Sequence, residues 1–309
     1  MWSIIAGPII ALIFTGPPLP VSRTVEKQND QMEIKRLRVS EKTFRNKIVV
    51  VTGAASGIGL AICKRFSEAG AKLGLLDMDA LGLKAIEEEF TGPGRDCLCV
   101  RCDVSKKDES TAAVQQIIDR FGGIDVLVNN AGITQRGPFV DTEIAVFERV
   151  MAVNFFGSLY CTKAAIRSLI QRKGLIIVTE SVAGLTPLLG RTGYSASKHA
   201  LHGLFTSLRT EIRKTGAHVM IVCPGFVETN LQTRALGCNG SVTTHPQSRV
   251  GGQDTPENVA EAVYQGALKR KHLLVLTPMG KISYWLSRIS PFFYERMMAR
   301  KLRSELQNP

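Results

Sequence analysis

A parallel α/β fold is predicted by three observations in this 309-residue sequence. Short apolar runs recur at Ile48–Val51, Leu73–Leu76, Val126–Val128, Leu175–Thr179 and Val219–Val222, and each reads as a buried strand. Segments with helical periodicity lie between them, among them Thr111–Phe121, Glu143–Leu169 and Pro256–Leu268, so strands and helices alternate as a parallel sheet with crossover helices requires. The first run also breaks at once into a glycine-rich turn and a helical pattern. An α/β domain of about 230 residues with two appendages accounts for the length without a second core. We find no internal repeat or low-complexity tract.

The first element carries the first chemistry. After Ile48-Val49-Val50-Val51 comes Thr52-Gly53-Ala54-Ala55-Ser56-Gly57-Ile58-Gly59. Glycines at 53, 57 and 59 remove Cβ atoms from a tight turn and let a pyrophosphate approach the helix N-terminus, where free N–H groups favour anions. A dinucleotide is expected there. The spacing is G-x-x-x-G-x-G, and by itself it also fits a purely structural strand-to-helix turn. The second element ends in Asp77, at the distance expected of a ribose-binding carboxylate. Such a group accepts hydrogen bonds from ribose hydroxyls and repels a 2′-phosphate. Neither Met78 nor the residues between Gly53 and Gly57 supply a positive charge, so NAD is favoured over NADP. Asp79 reads as a turn residue.

Further along, Ser181 closes a strand, and Tyr194-Ser195-Ala196-Ser197-Lys198 follows on a predicted helix. Tyr194 and Lys198 stand at i and i+4 and project from one face. A cation beside a phenol favours its ionised form and brings it toward neutrality, which suits proton exchange with an alcohol oxygen. Ser181 can hydrogen-bond the same oxygen. Taken singly, each feature also fits an ordinary solvated helix face or strand end.

Together these residues resemble the classical short-chain dehydrogenase/reductase family. Thr52-Gly53-x-x-x-Gly57-x-Gly59, Asn129-Asn130-Ala131-Gly132, Ser181, Tyr194-x-x-x-Lys198 and Pro224-Gly225 come in family order. The resemblance covers about Lys47 to Thr277. It implies a single doubly wound Rossmann-type domain with a seven-stranded parallel sheet flanked by helices, bounded here as 47–277, with extensions 1–46 and 278–309. It also implies four catalytic residues. Tyr194 would be the general acid/base, and Lys198 would hold the nicotinamide ribose and lower the Tyr194 pKa. Ser181 would orient the substrate, and Asn154 would hold a water linking the lysine to solvent. Cofactor contacts would come from Gly53, Ser56, Gly57, Ile58 and Gly59 at the turn, from Asp77, from Asp103 and Val104 beside adenine, and from Asn129 and Gly132. Tyr194 and Lys198 would meet the cofactor too, with Pro224, Gly225 and Thr229 at the nicotinamide. One departure stands out: Glu180 occupies a position where family members commonly have a small hydroxyl residue. It either touches substrate or faces a helix or solvent.

The net charge of +12 is unevenly spread. Residues 1–47 hold 8 basic and 4 acidic side chains, 48–268 hold 22 and 21, and 269–309 hold 9 and 2. A neutral domain with basic termini argues against a nucleic-acid partner and for local contact with an anionic membrane surface. Ile282, Trp285, Leu286 and Ile289 form one helical stripe, and Pro291 interrupts it before a second apolar and basic stretch. That C-terminal piece suits a membrane interface, a cover over the substrate mouth or a second subunit. Residues 1–14 are apolar but shorter than the ~20 residues a spanning helix needs. They read as a weak anchor or as an upstream artefact, with translation starting at Met32.

Seven cysteines without paired spacing fit a reducing compartment, so a cytoplasmic location with peripheral membrane association is expected. No cysteine or histidine spacing suggests a metal. The expected function is an NAD-dependent oxidoreductase acting on a secondary alcohol or ketone. Val182, Leu185, Leu188, Leu189 and Phe226 point to a lipophilic substrate of steroid, retinoid or fatty-chain type. The alternatives are an NADPH-dependent carbonyl reductase and a catalytically silent dinucleotide-binding sensor or scaffold. The partners expected are the small-molecule substrate and a second or further copies, as a homodimer or homotetramer. The segment Glu228–Gln253, rich in Gly, Thr, Ser and Asn, is expected to form a mobile cover.

Overall fold

The computed structural model describes residues 44–92, 94–243, 248 and 251–306. The N-terminal stretch read as an anchor or artefact lies outside the described residues. Strands β1 (Ile48–Thr52), β2 (Lys72–Asp77), β3 (Cys97–Arg101), β4 (Val126–Asn129), β5 (Leu175–Thr179) and β6 (His218–Cys223) follow one another in sequence. Two short strands, β7 (Phe226–Val227) and β8 (Gln253–Asp254), pair with each other, and β9 (Leu273–Val275) rejoins the main sheet. That sheet has seven strands in the order β3-β2-β1-β4-β5-β6-β9, every pair parallel. The order reverses between β1 and β4, and the crevice beyond the carboxyl ends there is where such sheets bind ligands.

Helices α1 (Gly57–Glu68), α2 (Ala80–Phe90), α3 (Lys107–Phe121), α4 (Ile144–Met151), α5 (Gly157–Gln171), α6 (Thr192–Glu211) and α7 (Pro256–Leu268) cover the two faces. The burial explains why the strands read as continuous apolar runs. Val49 and Val51 enter the core beneath α1 and α7, while Ile48 and Val50 enter the core beneath α3, α5 and α6. All five residues of β1 are therefore buried. Cys97 and Cys99 pack on the first core and Cys102 on the second, as alternation along a strand requires. All seven cysteines are free.

Between α4 and α5 the helix widens into a π-turn, Ala152–Phe156, which carries Asn154. The whole run Ile144–Gln171 is the one helix among the described residues long and apolar enough to cross a bilayer. Its Cys161, Ala165 and Leu169 lie in the sheet's core, so it is a packed element of this domain. Two more helices, α8 (Pro278–Ile289) and α9 (Pro291–Lys301), complete the described chain with a 3₁₀ turn, Arg303–Leu306.

Candidate active site

The glycine turn is locked from behind. Thr52 Oγ1 accepts the N–H groups of Asn130 and Ala131, both at 3.0 Å, while Asn130 Nδ2 donates to the Thr52 carbonyl at 3.1 Å and to that of Gly53 at 3.3 Å. A Cβ at Gly59 would overlap the Gly53 carbonyl oxygen, so the turn closes onto the first turn of α1 only with glycine there. Gly53 itself has φ +66°, the left-handed region that disfavours side chains. Ser56 leads into α1 without a side-chain cap, and no acidic residue stands in its first turn. The N-terminal N–H groups thus face the crevice, as an anion site needs. At the rim, Asp77 Oδ2 accepts from Ala55 N–H at 2.9 Å and Oδ1 from Asp79 N–H at 3.0 Å, which ties the end of β2 to the turn. Asp79, read as a turn residue, caps α2 by accepting from Gly82 N–H.

Across the switch point, the end of β5 and the start of α6 bring the second cluster together. Lys198 Nζ donates to the Thr179 carbonyl at 2.9 Å and lies 5.7 Å from the centre of the Tyr194 ring. Ser181 Oγ accepts from Ala183 N–H at 3.1 Å and lines the same cavity as Tyr194. Asn154 Oδ1 accepts from Ile133 N–H at 2.8 Å, and its Nδ2 donates to the Ile133 carbonyl at 3.0 Å and to Ser197 Oγ at 2.9 Å. Asn154 therefore pins the loop after β4 to α6. Gln135 from that loop accepts the Tyr194 backbone N–H at 2.9 Å.

One cavity of about 1360 Å³ joins the two clusters. Gly53, Ser56, Gly57, Ile58, Asp77, Asp103, Val104, Gly132, Ser181, Tyr194, Lys198, Pro224, Gly225 and Thr229 line it. Of the apolar residues expected at the substrate, Val182, Leu188 and Phe226 line the cavity, whereas Leu185 lies in the core and Leu189 packs against the Tyr294 cluster. Three of the catalytic and cofactor residues stand behind the wall. Gly59 packs under the turn, Asn129 donates to Thr162 Oγ1 on α5 at 2.8 Å, and Asn154 braces the loop. A cavity of this size, with a glycine cradle at one end and a carboxylate at its rim, accommodates a dinucleotide together with a further small molecule.

The family model for short chain dehydrogenase matches residues 47–236. The chain belongs to the short-chain dehydrogenase/reductase family. It is 34% identical over 278 residues to the mouse dehydrogenase/reductase SDR family member 7B, covering 88% of this chain and 86% of that protein. It is 31% identical over 300 residues to an SDR family protein 7-like of Anopheles gambiae, covering 95% and 93%. Among solved structures, an alcohol dehydrogenase from the archaeon Thermococcus sibiricus, complexed with 5-hydroxy-NADP, superposes with a TM-score of 0.65 at 28% identity, covering 74% of this chain and 95% of that one. A short-chain dehydrogenase/reductase from Burkholderia phymatum in complex with NAD gives a TM-score of 0.70 at 24% identity over 86% and 98%, a likeness of fold. As a member of the family, the chain is an NAD(P)-dependent oxidoreductase.

In this short-chain dehydrogenase/reductase, burial dominates the electrostatics of the pair. Burial pushes the Tyr194 phenol above its usual value, outweighing the Ser181 hydrogen bond and the Arg191 guanidinium, which act downward. The Lys198 ammonium is pushed by burial to about 8, against the opposing negative charge of Glu180.

The substrate side was less legible. Arg191, buried and lining the cavity three residues before Tyr194, donates from Nη1 to Gln232 Oε1 at 3.1 Å, and its Nη2 has no protein partner. Nothing in the sequence pattern marks Arg191 or Gln135, because their roles depend on loops that meet only in the fold. The expected mobile cover also differs. Leu236 N–H donates to the Thr134 carbonyl and Arg136 N–H to the Leu236 carbonyl, and Ala235 is fully buried, so the described part of that segment is docked onto the loop after β4. The C-terminal helices supply much of the roof. Met279, Ile282, Leu286, Met297, Met298 and Leu302 line the cavity, and Tyr294 Oη donates to Thr186 Oγ1 at 3.0 Å.

Proposed function

We propose that this enzyme interconverts a lipophilic secondary alcohol and its ketone with NAD, using Tyr194, Lys198, Ser181 and Asn154. The observation that carries the substrate class is the apolar roof that α8 and α9 lay over the cavity beside Tyr194. Steroid, retinoid or fatty-chain alcohols suit such a wall better than a sugar. Nicotinamide, when bound, supplies the hydride acceptor or donor. Tyr194 passes the proton to or from the substrate oxygen, and Ser181 holds that oxygen while charge shifts onto it. Lys198 binds the ribose and supplies positive charge. Asn154 keeps the loop after β4 against α6, and its family role of holding a water is compatible with the remaining lone pair on Oδ1.

The preference for NAD rests on Asp77. No lysine or arginine beside it lines the cavity among the described residues, and its carboxylate repels a 2′-phosphate. Residues 47–277 form the catalytic domain in this reading and 278–309 its cover. The test is NADH formation by the purified full-length chain with NAD or NADP against steroid, retinoid, fatty-chain and sugar alcohols. Turnover with a lipophilic alcohol and NAD is expected. Faster turnover with NADPH and a ketone would favour the carbonyl-reductase reading, and cofactor binding without turnover would favour a silent sensor or scaffold.

A second reading concerns the outer surface of the same helices. Trp285, Ile289, Phe292 and Phe293 are 62%, 78%, 75% and 55% exposed, with Arg288, Arg296 and Arg300 on the same two helices. We infer a reversible contact with an anionic membrane surface, so Trp285→Ser with Phe293→Ser should lower sedimentation with anionic liposomes at low salt. A homodimer or homotetramer through the long helices is the companion proposal, supported by exposed Phe156 stacked on Tyr160 and checked by the mass in solution.

A further inference from the structure

Glu180 is the one departure from the family pattern beside the reacting residues, and its surroundings give it a part. Its side chain is fully buried at the end of β5. A carboxylate in such a place needs partners. The Cys223 thiol on β6 donates to Oε2 at 3.0 Å, and His202 Nδ1 on α6 lies 3.2 Å from Oε1 and 3.4 Å from Oε2. Room for the carboxylate comes from Gly184, where a Cβ would overlap it. His202 stands one helical turn beyond Lys198, and its side chain is 29% exposed. It therefore lies between the buried carboxylate and solvent.

Lys198, one turn before His202 on α6, donates to the carbonyl of Thr179, the residue before Glu180, at 2.9 Å. Glu180, Tyr194 and Lys198 line one cavity. With His202 on α6 and Cys223 on β6 these are the titratable groups around the carboxylate, and the turn Val182–Gly184 adds none. Neither substrate nor ribose is needed for these contacts. We propose that Glu180 is a positioning residue, a buried countercharge, held by Cys223 and His202, that keeps the Lys198 ammonium charged and the Tyr194 phenol protonated. The inference rests on the roles given above to Tyr194 and Lys198.

The directions of charge agree with the geometry. Burial acts to discharge Lys198, and the Glu180 carboxylate opposes it. The same negative charge acts upward on Tyr194, in the direction of burial and against Ser181 and Arg191. Burial also holds the Cys223 thiol protonated, with the Glu180 charge acting the same way, so the sulfur is a donor to the carboxylate.

The test is the pH profile of kcat for alcohol oxidation by the NAD-loaded full-length enzyme, with NADH binding measured alongside. Oxidation needs Tyr194 ionised and Lys198 charged, so the profile is a bell whose two limbs belong to the pair. Removing the negative charge lowers both transitions. In Glu180→Gln, both limbs should move to lower pH by about one pH unit, with kcat up to about tenfold above wild type on the acid limb and as far below it on the alkaline limb. Glu180→Asp should return the profile toward wild type, although it leaves a void. His202→Gln keeps a polar partner for the carboxylate and leaves its charge in place, so its profile should stay close to wild type.

Superimposable profiles for Glu180→Gln and wild type, both binding NADH, overturn the proposal. So does a His202→Gln profile shifted as far as that of Glu180→Gln, because the carboxylate charge is still present there. Tyr194→Phe separates the two levels. If that variant keeps its turnover, the reading of the site fails. If it is inactive while the Glu180→Gln profile stays in place, only the countercharge fails.

Discussion

The two ends of the cavity are built in opposite ways. At the dinucleotide end, Gly53, Gly57, Gly59 and Asp77 lie within 25 consecutive residues, and the turn is joined to the rim carboxylate by the hydrogen bond from Ala55 N–H to Asp77. At the substrate end the wall is gathered from distant segments. Leu188 follows β5, Gln232 follows β7, and Met298 stands more than a hundred residues beyond Leu188. The first arrangement depends on backbone geometry that a single side chain would spoil. The second depends on apolar packing, in which many residues of similar size serve. A family can thus keep one end fixed while the other varies, as expected where cofactor is shared and substrate is not.

The strongest way to break this comparison acts at the joint between the ends. Tyr194→Phe keeps the ring and removes the hydroxyl, so turnover should fall by about 100-fold to 10,000-fold. NADH binding, measured by fluorescence titration, should persist. Near-normal turnover would show that the proton moves through another group.

A middling effect is expected at the dinucleotide rim. Asp77→Ala removes the acceptor for ribose hydroxyls and the repulsion of a 2′-phosphate, and it also frees the N–H groups of Ala55 and Asp79. The ratio of kcat/KM for NAD to that for NADP should fall by about tenfold, a difference on the order of 1.4 kcal/mol. Most of the change should be loss with NAD, because the turn itself loosens. Asp77→Asn retains one acceptor oxygen and should lie between. A wild-type enzyme that already prefers NADPH would overturn the assignment of Asp77.

How legible each end was follows from the same contrast. The glycine turn, Asp77, Ser181 and the Tyr194–Lys198 pair stood in the sequence because their chemistry needs fixed residue types at fixed spacing. The sheet was legible for a related reason: strands buried on both faces leave long apolar runs. The last strand, Leu273–Val275, was not marked, since three residues carry no usable period. Gln135 and Arg191 were also missed, because polar residues in loops look alike until the fold brings them to Tyr194 and Gln232. For the C-terminal stripe the sequence left three uses open, and the structure divides the stripe. Ile282 and Leu286 line the cavity, while Trp285 and Ile289 are largely exposed and do not. A period of 3.6 identifies an apolar face but not what it meets.

The smallest expected effect sharpens the substrate end. Tyr294 is buried between α9 and the loop after β5, with Oη donating to Thr186 Oγ1 at 3.0 Å and a longer contact of 3.4 Å to the Pro187 carbonyl. Tyr294→Phe keeps the ring in the cluster with Met298 and Leu302 and removes the bond, a loss of about 1 kcal/mol. If α9 is part of the substrate wall, KM for a lipophilic alcohol should rise a few-fold, while kcat and NAD affinity hold. The pH dependence gives a second, independent mark. Burial raises the Tyr294 phenol above its usual value, outweighing the Thr186 and Ser283 hydrogen bonds. Its neutral form is thus favoured in the folded chain, so its contribution to stability is complete below the unfolded pKa and declines as pH rises through the folded one. The stability difference between wild type and Tyr294→Phe, from urea unfolding, should therefore be constant near neutrality and shrink above about pH 10. A difference that grows with pH would mean that the phenol is held as its anion, and the hydrogen bond to Thr186 would have to run the other way.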